Sequence, residues 1–169
     1  MTQLLAAALV LQLHNFAGVP SSVAVDAASE VTRLYAAVGV STIWRAAAPS
    51  DDRSDVIRVI VLPHETGILS HRADTVMGAA VSTPGSTRLA YVYYRPVRAE
   101  AERHAASISL VLACAIAHEI GHLLIPQAGH SPAGLMRARW QRDDFERANQ
   151  GRMRFSAEQS ALIAARFAR

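Results

Sequence analysis

The segment His118-Glu119-Ile120-Gly121-His122 holds the residues of this chain that are best suited to chemistry. Positions i and i+4 of a helix lie on one face, so the two imidazoles can reach one metal ion together. The glutamate between them projects near the same ion, where it can accept a proton from a bound water. The pattern H-E-x-x-H therefore predicts a catalytic zinc site with His118 and His122 as ligands and Glu119 as general base.

A catalytic zinc site takes three protein ligands and keeps one position open for water. His130 is the favoured third ligand, because Pro126 ends the helix and Gly129 allows a sharp turn that brings the chain back under the ion. The alternatives are three carboxylates further along the chain, at Asp143, Asp144 and Glu146.

Residues 118–136, which read HEIGHLLIPQAGHSPAGLM, resemble the metzincin clan of zinc peptidases, and most of all its matrixin branch. In that family a third histidine after a glycine turn is followed by serine and by a small-apolar-Met ending, matched here by His130, Ser131 and Met136. The resemblance implies that the three histidines bind zinc, that Glu119 is the base and that Met136 forms an apolar floor beneath the ion (the Met-turn). The spacing is a variant, since the family's third ligand falls at Ala128, two residues before His130.

This resemblance implies a zinc metalloendopeptidase that hydrolyses peptide bonds by Glu-assisted attack of a zinc-bound water. In the family, the strand before the motif helix is a sheet edge that runs beside the substrate. Residues 89–94 (LAYVYY) occupy that place, so Tyr91 and Tyr93 are candidate substrate contacts. The alternative is that these tyrosines simply alternate between core and solvent. Two other functions stay open: a zinc hydrolase of a non-peptide amide or ester, and a metal-binding module without catalysis.

The elements that must position these residues follow from hydrophobic periodicity and turn residues. A buried strand is expected to end near Asn15, and a helix over 22–38, capped by Ser21 or Ser22, to follow it. Polar stretches at 46–54 and 63–74 predict loops. The other predicted elements are strands at 40–45, 56–62, 76–81 and 89–94, a long helix over 98–125 that carries the motif, and helices at 139–150 and 156–168, the last capped by Ser156.

This order predicts an α+β fold: a mixed twisted sheet of four to five strands, a connecting helix and the active-site helix on one face, and C-terminal helices. We expect a single zincin-like domain over 1–169. Its parts are the sheet with the first helix (1–97), the active-site helix, ligand loop and Met-turn (98–136), and a helical segment (137–169). Gly121 costs about 1 kcal/mol in a helix interior, which indicates close approach by another segment.

Composition and charge restrict the partners. The chain is 51% hydrophobic and 18% charged with a net charge of +3, and it carries no nucleic-acid-binding motif. The apolar run 4–13 is too short to span a membrane, and we favour a strand over a signal core there. We expect a monomer that acts on a peptide or protein. Arg137 and Arg139 are expected either to contact a substrate carboxylate or to pair with Asp143 or Asp144.

Overall fold

A computed structural model describes residues 8–46, 55–64, 76–82 and 88–168. The described strands are β1 (Leu9–Asn15), β2 (Thr42–Arg45), β3 (Val56–Leu62), β4 (Gly78–Ser82) and β5 (Arg88–Tyr93). The described helices are α1 (Ser21–Ala36), α2 (Tyr94–Arg103), α3 (Ile108–Leu124), α4 (Arg142–Asn149) and α5 (Ala157–Phe167). The predicted loops at 46–54 and 63–74 fall mostly outside the described residues.

The five strands form one mixed sheet in the order β2-β1-β3-β5-β4. The first four of these are mutually parallel, and β4 alone runs antiparallel, paired with β5. The centre of the sheet is apolar, since Leu11, Val59 and Val92 are fully buried. The α+β class and the mixed five-stranded sheet that the sequence predicts are therefore present.

The prediction that residues 89–94 form the sheet edge is wrong. Strand β5 lies between β3 and β4, so both of its main-chain edges are paired. Tyr93 is buried and Tyr91 is half-buried within the sheet. The outer strand on this side of the sheet is β4, which precedes β5 in the chain and pairs antiparallel with it, an arrangement that hydrophobic periodicity does not encode.

The single helix predicted over 98–125 is two helices. Helix α2 already begins at Tyr94, with Pro96 in its first turn, where a missing N–H costs no hydrogen bond. The chain then breaks at 104–107, where Ala105 adopts a left-handed backbone with φ of 50°. The backbone N–H of Ser107 donates to Asn149 Oδ1, which ties the start of α3 to the end of α4.

Helix α3 is buried at every residue from Val111 to Gly121 and packs against α1, α2, β4 and β5. A helix that is apolar nearly all round is typical of a protein centre. The Tyr35 hydroxyl of α1 donates to the carbonyl of Ala117, 2.9 Å away, and holds the two helices together. Helix α3 is thus a fixed support for the residues at its C-terminal end.

Two predicted caps have different outcomes. Ser156 caps α5 as expected, since its hydroxyl accepts from the backbone N–H of Gln159 and the Gln159 side chain accepts from the backbone N–H of Ser156. Neither Ser21 nor Ser22 caps α1, because Pro20 occupies the N-cap position and Ser21 is the first helical residue. No helix in the described parts of the chain combines the length and apolar character that a membrane crossing requires.

Candidate metal centre

The structure brings His118, His122 and His130 together at one point. The Nε2 atom of His122 lies 3.0 Å from Nε2 of His118 and 3.2 Å from Nε2 of His130. Their possible ligand atoms all lie within 4.8 Å of one another. Two imidazole nitrogens bound to one tetrahedral zinc ion would be about 3.3 Å apart, given Zn–N bonds of 2.0–2.1 Å. The observed spacings fit a shared metal ion.

Helix geometry and the following loop account for this convergence. His118 and His122 are one turn apart on α3, near its C-terminal end. The helix ends at Leu124, Pro126 follows, and Gly129 takes a left-handed backbone with φ of 59°, which turns the chain back towards α3. The extra two residues of this loop still place His130 beside the other two imidazoles. The turn at Gly129 thus brings His130 close to His122 although His130 lies two residues later than the family's third ligand.

A backbone carbonyl sets the protonation of His118. The Nδ1 atom of His118 lies 2.7 Å from the carbonyl oxygen of Leu135, and its N–H group donates a hydrogen bond to that oxygen. This leaves the lone pair of Nε2 on the side where the other two histidines meet, as metal-binding histidines require. The indole N–H of Trp140 donates to the same carbonyl at 3.1 Å. No local sequence pattern indicates these supporting contacts.

Burial keeps the first two histidines neutral. The pKa of His118 is lowered to about 4, mainly because the ring is removed from water, with smaller contributions from His122 and His130. Burial and the neighbouring His130 also lower the pKa of His122. A metal ion binds only the neutral imidazole, so these shifts favour metal binding at neutral pH.

Glu119 is 7% exposed and lines the same cleft as the three histidines. Burial raises the pKa of its carboxyl group to about 8. A cation held by the histidines would oppose this shift, because a nearby positive charge favours the carboxylate. A carboxyl group whose pKa lies near neutrality, beside a candidate metal site, is suited to accept and return a proton.

The three carboxylates weighed as alternative ligands lie elsewhere. Asp144 is fully buried, accepts from Arg137 at 3.0 Å and from the backbone N–H of Gln141 at 2.9 Å, and so caps α4. Glu146 is exposed and pairs with Arg142. Within the described residues the only group of histidine, cysteine or acidic side chains close enough to share an ion is the histidine triad, and it includes neither these residues nor Asp143.

Met136 is fully buried in the core behind the motif helix. A methyl group at Gly121 would lie 2.6 Å from Met136 Sδ and 3.2 Å from Cε1 of Phe155. The close approach expected at Gly121 is therefore present, and its partners follow the third histidine in the chain. The turn that carries Met136 is closed by the backbone N–H of Ser131, which donates to the Met136 carbonyl at 2.9 Å.

Gly78, at the start of edge strand β4, is a site residue that the sequence analysis missed. A methyl group there would lie 2.7 Å from Cγ and Oε1 of Glu119 and 2.7 Å from the carbonyl oxygen of Tyr91. The backbone of β4 therefore lies directly against the candidate base. A glycine inside an apolar strand is a known sign of such an approach, so the sequence did carry a signal.

The cleft in front of the histidines has a volume of about 920 Å³, within the range of ligand-binding sites. Strand β4 forms one wall, and the segment 137–140 with Phe145 forms another. Comparison of the chain with protein-family models and with curated proteins found no match. The geometry of the site is therefore the basis for the proposed function.

Proposed function

We propose that this protein is a zinc-dependent metallopeptidase of metzincin type. The observation that carries the proposal is the convergence of three imidazole Nε2 atoms beside a buried glutamate at the wall of one cleft. Three neutral histidines and an open side are the donor set of catalytic zinc rather than of a structural site, which is closed by a fourth protein ligand. His118, His122 and His130 would hold the ion.

When bound, zinc polarises a carbonyl oxygen and makes a water easier to deprotonate. Glu119 accepts the proton of that water, and it later returns the proton to the departing amine. Burial raises the pKa of this carboxyl group and a bound cation would lower it again, which would leave the carboxylate free to accept a proton and able to return it. The Leu135 carbonyl keeps His118 in the tautomer that presents Nε2.

The edge strand favours an extended peptide as substrate over a small amide or ester. Among the described residues, strand β4 is paired only with β5, and its outer main-chain groups would hydrogen-bond an added strand. The same strand lines the cleft from Gly78 to Ala80 and lies against Glu119. A peptide bound along β4 would therefore run past the candidate zinc and base. In this proposal the substrate-facing strand is β4, in place of the one that carries Tyr91.

The test is a pair of glutamate variants measured for zinc content and for cleavage of a fluorogenic peptide library. Glu119→Gln should keep one zinc per chain and lose turnover by about 10³-fold or more, because the amide cannot accept the proton. Glu146→Gln, which alters an exposed carboxylate outside the cleft lining, should change neither. Full activity of the Glu119 variant would refute the mechanism. Turnover of small esters alone, without peptide cleavage, would favour the non-peptide hydrolase.

A further inference from the structure

The cleft wall carries more positive than negative charge. Within the described residues that line it, the acidic groups are Glu100 and Glu119, whereas the cations are Arg103, Arg137 and Arg139. The three histidines would add the charge of a bound ion to the same side. A cleft lined with one sign of charge concentrates the field and attracts ligands of the opposite sign.

Two of the three arginines already have protein partners. Arg103 pairs with Glu100, which also lies 3.5 Å from Nε2 of His104. Arg137 donates to the fully buried carboxylate of Asp144 at 3.0 Å. Each of these two guanidinium groups thus has a carboxylate partner in the fold, although Asp144 is shared with Arg147.

Arg139 differs from both. It is exposed on the cleft wall, and its guanidinium makes no hydrogen bond or ion pair with any residue that the structure describes. Side chains of nearby residues on both sides of it are nevertheless held by hydrogen bonds. Arg137 is fixed by Asp144, and Trp140 donates its indole N–H to the Leu135 carbonyl beneath His118. The ring of Trp140 lies 6.1 Å from that of His118, so Arg139, which has no partner among the described residues, is next in the chain to a residue packed against the histidine cluster.

We propose that Arg139 selects substrates that carry a carboxylate near the bond to be cleaved. The inference rests on the proposed peptidase function and names its substrate class. A guanidinium binds a carboxylate through two parallel hydrogen bonds, which gives direction as well as attraction. The carboxylate can belong to an Asp or Glu side chain or to the C-terminus of the peptide, and the chemistry at Arg139 is the same.

The experiment measures binding and cleavage separately, with peptides that differ in one group. One series places Glu, Gln or Lys at each of three positions on either side of the cleaved bond. A second compares a free C-terminal acid with its amide. Binding is measured by calorimetry on the zinc-loaded, full-length Glu119→Gln protein, and kcat/KM is measured on the protein with Glu119 intact.

Each series is repeated with Arg139→Gln, Arg139→Glu and the control Arg142→Gln, which alters an exposed arginine that pairs with Glu146 outside the cleft lining. We expect peptides with Glu at one position, or with the free acid, to bind about three- to tenfold more tightly than their neutral counterparts. Arg139→Gln should abolish this preference, Arg139→Glu should reverse it towards Lys, and Arg142→Gln should leave it unchanged.

The preference should also weaken as salt is raised, because a partly exposed ion pair is screened. Equal binding of Glu and Gln peptides would overturn the inference. A preference that survives in Arg139→Gln would also overturn it, since a group other than Arg139, such as the bound metal, would then account for the preference. Arg139-dependent binding without any cleavage would support the carboxylate site and refute the peptidase. Cleavage without an Arg139-dependent preference would do the opposite.

Discussion

Replacement of Gly78 by alanine tests whether the edge strand positions the candidate base. The added methyl group would lie 2.7 Å from Cγ and Oε1 of Glu119 and from the Tyr91 carbonyl oxygen, whereas unstrained carbon contacts are about 3.5–4.0 Å. Each of the three atoms must therefore move by about 1 Å relative to residue 78. One of them is main chain in a paired strand, so rotation of a side chain cannot relieve the whole overlap.

The expected magnitude follows from two opposing terms. Overpacking of this kind costs about 1–3 kcal/mol. Loss of glycine returns about 0.4–1 kcal/mol, because alanine has less freedom in the unfolded chain. The net effect should be a loss of about 1–2 kcal/mol in the free energy of unfolding, or about 2–8 °C in Tm for a chain of this size. If Glu119 shifts by about 1 Å, kcat should fall about 10²-fold.

The assay combines thermal unfolding, zinc content and peptide cleavage. Because none of the three histidines is touched, zinc content should stay at one per chain while kcat falls. The control is Val81→Ile, which adds one methyl group to a side chain on the same strand that is 42% exposed, and which should change neither quantity. If Gly78→Ala kept the original kcat, or raised stability as strand propensity alone suggests, the inferred contact between β4 and Glu119 would be wrong.

Three further predictions follow from the same site. In the metal-free protein the folded pKa of Glu119 is about 8, above its ordinary value of 4.5. The folded state therefore holds a proton that the unfolded state releases, and Glu119 should contribute a fall in stability of a few kcal/mol as pH rises from about 4.5 to 8, opposed below about pH 6.5 by the lowered pKa values of His118 and His122. Glu119→Gln should remove that fall in denaturant titrations, and an unchanged pH dependence would contradict the raised pKa. His130→Ala should lower zinc content, whereas Asp144→Ala should destabilise the fold by about 3–5 kcal/mol with zinc content unchanged under folding conditions. Loss of zinc in the Asp144 variant alone would return the third-ligand role to that carboxylate. Gly121→Ala should lower Tm despite the better helix propensity of alanine, because Met136 is fully buried and has little room to move; a higher Tm would show that the methionine can repack.

Local sequence patterns were sufficient to predict most of the helices and strands. Strand β3 has the bounds that its β-branched residues predict, and α5 begins where Ser156 predicts. These features depend on neighbours in the sequence: side-chain branching, caps and turns. The break at 104–107 was not predicted because alanine, the residue at position 105, does not favour a left-handed backbone. The hydrogen bond from Ser107 to Asn149, at the end of α4, helps to hold this geometry and joins segments far apart in the chain.

For the site, the sequence by itself determined the two histidines and the glutamate of the helical motif, since their relation is fixed by 3.6 residues per turn. It also nominated His130 and, through a resemblance, the turn that carries Met136. Only the tertiary structure decided that His130 lies beside the other two imidazoles and that Asp144 forms ion pairs with Arg137 and Arg147. It also decided that β4 is an outer strand of the sheet and that β5, which carries Tyr91 and Tyr93, is not. The physical reason is distance along the chain: these relations join segments whose approach depends on packing of the whole core, which no local periodicity records.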